Sequence, residues 1–227
     1  MTGFLNTLAI GFLAVSATAS NAGQPLAYPD FPIAAARAAV IVARISPGSY
    51  FPAFPECAKP DIVCLDPPPF WFKARLESRV FGDIESGTIT VSTTSHYGLE
   101  ALEHAGTGPF LIALQTDGKQ YRMPRYAMAE LTSDRKGRLY VLILRKEPFH
   151  WLPCSVSELR REISPADFPD TITLDAGESA HFADRSPELF RKSAAGPVPR
   201  YAIAVADIGA HLKAMAPDAV QMACTKS

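Results

Sequence analysis

Histidines and carboxylates at helical spacing are the first residues of this chain that could do chemistry. His96, Glu100 and His104 recur at i, i+4 and i+8, and on one continuous helix they would share a face and could hold a metal. Gly98 and the strand-like residues before it argue against a helix running through His96. The expected role of Glu100 and His104 is therefore to complement the macrodipole at the two ends of a short helix over residues 99–105. Glu100 and Glu103 read as solvated helix residues rather than an acid–base couple. No H-E-x-x-H and no G-x-S-x-G is present, so neither a zinc protease nor a nucleophile elbow is indicated. His150 beside Trp151, His181 and His211 stand isolated. His211 follows Asp207 by four residues, the spacing of an exposed polar pair on a helix. No catalytic residue, no metal and no cofactor is expected.

A second set of residues offers binding rather than catalysis. Trp71, Lys73, Arg75 and Arg79 alternate along one segment, and Tyr121, Arg122, Arg125 and Tyr126 cluster on another. Mixed aromatic and basic side chains on neighbouring strands could grip an anionic glycan, a peptide or a protein partner.

Four cysteines complete the chemical inventory: Cys57, Cys64, Cys154 and Cys224. Their spacing is not C-x-x-C and no histidine sits near them in sequence, which argues against zinc. An even count suits two disulfides if the chain is exported. Cys57 and Cys64 lie in one proline-rich loop and form the preferred pair. Cys154 with Cys224 would then tie the C-terminal tail to the body.

Export is the strongest expectation. Residues 1–22 read as a signal peptide. The unbroken apolar run, residues 8–15, falls short of the roughly 20 apolar residues that a bilayer span needs. Small residues follow at peptidase spacing, either Ala17-Thr18-Ala19 or Ser20-Asn21-Ala22. The usual basic residue at the start is missing, and the first charged residue is Asp30. No later segment reaches membrane-spanning length, so no membrane span is expected in the mature chain. The formal net charge is −1, whereas proteins held by nucleic-acid phosphates carry a strong basic excess. A periplasmic or secreted protein with no nucleic-acid partner is expected, of about 205 residues after cleavage: one domain with an extension.

The elements that must position these residues read mainly as strands. Residues 38–46 form an apolar strand that Pro47-Gly48 should end. Seven prolines fall within residues 47–70, which excludes a helix or a central strand there. Residues 71–81 alternate cleanly, with Phe72, Ala74, Leu76, Ser78 and Val80 on one face and Trp71, Lys73, Arg75, Glu77, Arg79 and Phe81 on the other. Residues 88–94 are β-branched and make a third strand. After the short helix come a strand at 110–114, an Asp117-Gly118 turn, a return strand at 120–127 confined to an edge by Pro124, and a buried strand at 138–145. Ser155 and Glu158 fit a capping box ahead of a short helix reaching about Ile163. Ser186-Pro187 should open another, with Arg191 and Lys192 near its end. Val205, Ile208, Leu212 and Met215 mark one face of a C-terminal helix.

Strand, long loop, strand, strand, helix, strand, strand is the order of the OB-fold, a five-stranded closed barrel that leaves no exposed sheet edge. The expectation is a mainly β chain with minor α: an OB-like closed barrel of five to six strands over residues 23–163, with a partly helical extension over 164–227 packed on it. Residues 39–44, Trp71 to Glu77 with Val80-Phe81-Gly82, and Thr88 to Val91 resemble exported bacterial domains similar to netrin and tissue-inhibitor-of-metalloproteinase modules. The resemblance covers residues 36–145. The metalloproteinase inhibitors of that family chelate zinc through a cysteine at the mature N-terminus. Here the first cysteine is Cys57, so that mechanism does not carry over. In an OB-fold the face of the second and third strands is the usual binding surface, and this is where Trp71, Lys73, Arg75 and Arg79 fall. The expected function is a non-enzymatic exported binding module for an envelope protein or glycan. The alternatives are a hydrolase whose site is assembled from residues distant in sequence, and a structural envelope protein with no ligand.

Overall fold

The computed structural model describes residues 38–50, 69–94, 102, 106, 108–116, 120–124, 127–146, 149–168, 176–193, 196–215 and 224. The expected signal peptide at 1–22, Cys57, Cys64, His96, Glu100, Glu103, His104, Arg125 and Tyr126 lie outside the described residues. So does the helix expected over 99–105, apart from Leu102, which is helical and buried.

Six strands build the first sheet: β1 (Ala38–Tyr50), β2 (Pro69–Phe81), β3 (Thr88–Thr94), β4 (Phe110–Thr116), β5 (Tyr121–Arg122) and β6 (Met128–Glu130). They are ordered β1-β2-β3-β5-β4-β6, and β1 also pairs with β4. Five strands therefore close on themselves, and β6 pairs with the same edge of β4 as β5, further along it. β3 and β5 run parallel, and the other pairs are antiparallel. The chain is thus the expected OB-like closed barrel. The alternation of β2 sets its inner face: Phe72, Ala74 and Val80 are buried, while Lys73, Arg75, Glu77 and Arg79 are exposed. In contrast, β1 is buried at every residue from Ala38 to Ala43. Its outward residues cannot alternate to polar because the core continues past the barrel wall to Phe149, Trp151 and Leu152 and to residues of the C-terminal helix.

β1 does not end at Pro47-Gly48, as the sequence suggests, but bulges there. Ser46 faces Lys73 and Ser49 faces Trp71, so three steps along β1 match two along β2. A bulge is one of the few places in a sheet that accepts proline. Gly48 lies so close to the backbone of Trp71 that any Cβ would overlap its carbonyl.

A second sheet joins the two parts of the chain. It comprises β7 (Thr132–Ser133), β8 (Leu139–Leu142), β12 (Tyr201–Ala204) and β9 (Arg161–Glu162), in that order. β12, from the C-terminal part, lies between β8 and β9 and pairs antiparallel with both. A separate hairpin pairs β10 (Phe190–Ser193) with β11 (Gly196–Pro199). The extension also holds a helix not foreseen from sequence, α1 (Ala176–Arg185), and the expected amphipathic one, α2 (Val205–Ala214). Val205, Ile208, Gly209 and Leu212 are its buried residues. Gly209 lets the helix approach β2, because a Cβ there would stand 3.2 Å from the Val80 side chain and carbonyl.

Two expected helices are corrected. Ser155 caps nothing: residues Cys154–Leu159 form a 3₁₀ helix with Pro153 at its start and no side-chain cap. The segment starts after Pro153, and β9 begins almost immediately after it at Arg161. Pro187–Leu189 is likewise a single 3₁₀ turn. Arg191 and Lys192 then belong to β10, whose pairing with β11 takes the backbone that a helix would have used.

Candidate functional site

On the outer face of the barrel, β2 runs between β1 and β3. Lys73 stands between Ser46 and Thr90, and Arg75 between Arg44 and Thr88. Two like charges directly opposite each other destabilise a strand pair. Arg44 is drawn off by other partners, with its Nε donating to Glu77 at 2.7 Å and a second guanidinium nitrogen to the carbonyl of Gly108 at 2.9 Å. Lys73 and Arg75 form no ion pair among the described residues and are exposed. Half-buried Trp71 follows on the same face, opposite Ser92. The result is an aromatic ring and two cations, without an ion pair among the described residues, above a hydroxyl row of Thr88, Thr90 and Ser92.

The remaining sequence candidates are placed differently. Arg79 is tethered by Asp83 at 3.2 Å and by the carbonyl of Ile84 at 2.6 Å. Tyr121 pairs with Val91, packs partly on the core and accepts a hydrogen bond from the Glu85 backbone at 3.4 Å. Arg122 is 7% exposed. Neither Tyr121 nor Arg122 extends the exposed strip, because the parallel pairing of β3 with β5 packs these residues within the wall.

Arg79 instead leads to a feature that sequence reasoning missed. A cleft of about 900 Å³ opens where β2, the β7–β8 hairpin, β9 and α2 meet. Arg79, Arg138, Arg161 and Lys213 line it, and Asp207 is the one carboxylate among the described residues that do so. These cations come from four separate stretches of chain, each of which looks like an ordinary polar-face residue in its own segment. The β7–β8 turn is built around buried Asp134. One of its oxygens accepts from the backbone N–H groups of Lys136 and Arg138, both at 2.9 Å. The other accepts from Arg138 Nε at 2.7 Å and from a second guanidinium nitrogen at 2.6 Å. Burial pushes this carboxyl up, but the hydrogen bonds from Arg138 and Lys136 and the charge of Arg138 outweigh it, so it stays below the ordinary carboxylate range. Nearby, Glu162 accepts from Arg200 at 2.9 Å and Arg191 at 2.7 Å, and both bonds hold it low as well.

One pair has the elements of a nucleophile. Ser155 Oγ lies 2.8 Å from His211 Nε2 across 56 residues. The exposed Asp207–His211 pair expected from sequence does not form. Asp207 is taken by Arg161 at 2.5 Å from β9, and His211 turns to Ser155. Among the described residues His211 makes no bond to a carboxylate, so the orienting third group of a hydrolytic triad is not in place. His150 is exposed, and its carbonyl accepts from the backbone of Cys224 at 3.0 Å. His181 rests edge-on against Phe182. No group of three His, Cys, Asp or Glu residues that could hold a metal occurs among the described residues, and no helix among them is long and apolar enough to cross a membrane. Comparison of the chain with protein-family models, with curated proteins and with solved structures finds no match in any of the three.

Proposed function

We propose that this chain is an exported binding module whose outer β2 face, with Trp71, Lys73 and Arg75 at its centre, engages an anionic envelope partner, a glycan or an acidic protein surface. One observation carries the reading: Lys73 and Arg75 sit exposed on this face with no ion pair among the described residues, while neighbouring Arg44 is paired with Glu77. An incoming anion can pair with both cations, and Trp71 adds flat apolar area of the kind that anchors interfaces. The face is also the one that OB-folds commonly use. Export is supported by the apolar run with its Ala-x-Ala site and by the Cys154–Cys224 disulfide, since such bonds persist in oxidising compartments.

The test pairs Lys73→Ala with Arg75→Ala and leaves Arg79 alone, because its tethers are structural. The double variant should melt within a few degrees of the parent. It should also lose most of its retention on an immobilised sulfated glycan and most of the partner cross-linked from envelope extract. Undiminished retention of both would remove the basis for this reading.

The hydrolase reading is favoured by the Ser155–His211 hydrogen bond alone. It requires Ser155 to be covalently labelled by an organophosphate in the parent and not in Ser155→Ala. The binding reading expects no label in either.

A further inference from the structure

We infer that the cleft between the barrel and the C-terminal lobe is a second, separate binding site, for a phosphomonoester group held by Arg138, Arg161 and Lys213. The chain carries almost no net charge, yet four cations line this cleft; Arg79, Arg138 and Arg161 are paired with Asp83, Asp134 and Asp207, and Lys213 has no ion pair among the described residues. Two of the cations are fixed in advance. Arg138 is gripped side-on by Asp134, through Nε and one terminal nitrogen. Arg161 is held by Asp207. Both guanidinium carbons lie over the same ring, that of Tyr140, at 5.8 and 5.9 Å from its centroid. The side chains of Arg138 and Arg161 nevertheless remain 58% and 50% exposed, so donor N–H groups are left over for a ligand. Freezing a free arginine costs rotamer entropy on binding. Here the two anchoring carboxylates and the ring have already removed much of it.

Lys213 adds a charge with no ion pair among the described residues, and it stands on the same wall, two turns along α2 from Val205. A phosphomonoester fits this set better than a carboxylate does. It brings nearly two charges and three acceptor oxygens, which can engage two guanidinium forks and an ammonium at once. The rest of the lining includes Val205, Ala206, Gly209 and Ala210, small and mostly apolar, with room for the body that carries the phosphate. That body can belong to a soluble metabolite or to a lipid.

Calorimetric titration of the intact, oxidised protein with phenyl phosphate tests the site at constant ionic strength. Saturable binding is expected, tighter than that of inorganic phosphate because the ring can cover the small-residue wall. Lys213→Gln and Arg161→Gln should each weaken it by about ten-fold, the loss typical of one charge-assisted hydrogen bond. Lys73→Ala with Arg75→Ala should leave it unchanged, which separates this site from the barrel face. Co-sedimentation with phosphatidic acid vesicles, compared with phosphatidylcholine vesicles, provides the lipid arm. Lys213-dependent binding of phenyl phosphate alone identifies a soluble ligand, and Lys213-dependent binding to the phosphatidic acid vesicles identifies a lipid headgroup. Either outcome supports the site. If neither probe binds above a sodium chloride control, or if Lys73→Ala/Arg75→Ala weakens binding as much as Lys213→Gln, the inference is overturned.

Discussion

Replacing Cys154 and Cys224 together by serine should lower stability by about 4 kcal/mol and the melting temperature by roughly 10 °C, without changing the barrel. The bond joins residues 70 apart in sequence, so it removes much of the freedom that this stretch would have when unfolded. Three local features reinforce it. Cys154 opens the 3₁₀ helix that carries Ser155. Ser155 bonds to His211 on α2. The Cys224 backbone bonds back to His150. The disulfide and α2 thus fasten the same corner, and the tail is held where the helix docks. Far-ultraviolet circular dichroism during heating would measure the effect, with the parent under reducing agent as a second route to the same state. A melting temperature unchanged in both would mean that the tail contributes nothing to the fold.

The parts of this architecture that were legible in the sequence are those with a local cause. The alternation from Trp71 to Phe81 makes a half-buried strand wherever it is placed. The β-branched run of β3 and the spacing of Val205, Ile208 and Leu212 act in the same local way. What decides the rest is contact between distant segments. β12 occupies only Tyr201–Ala204, too few residues to show a period, and it is a strand because β8 and β9 offer it hydrogen bonds on both sides. Arg191 and Lys192 have the pattern of a helix end until β11 pairs with them. Ser155 and Glu158 match a capping box, but the chain after Pro153 makes a short 3₁₀ helix and then joins β9, so there is no α-helix to cap. The site divides along the same line. Trp71, Lys73 and Arg75 can be found from one strand. The burial of Arg122 depends on the parallel β3–β5 pairing. The phosphate cleft has no sequence signature at all, because Arg79, Arg138, Arg161 and Lys213 meet only through the packing of four elements.

Asp134 is where fold and cleft depend on one side chain, and Asp134→Asn should expose that dependence through pH. The substitution keeps an oxygen to accept from the N–H groups of Lys136 and Arg138 but removes the charge that grips the Arg138 guanidinium. At neutral pH the variant should melt several degrees below the parent. The folded carboxyl sits below its ordinary value, whereas in the unfolded chain it titrates near 4. As the pH falls below about 4, the unfolded state takes up the proton first, and this draws the parent toward unfolding. The contribution of the charge is whole above that range and vanishes once the pH has passed the lower, folded value. The two melting curves should therefore stand apart at pH 7 and converge in acid. Glu162, also held low, is present in both proteins and cancels from the difference. Phenyl phosphate binding should weaken in the variant at pH 7 too, because Arg138 would lose its fixed orientation over Tyr140. A melting gap that stayed constant from pH 7 to pH 2 would assign the role of Asp134 to turn geometry alone. It would also mean that the Asp134 charge does not anchor Arg138 over Tyr140.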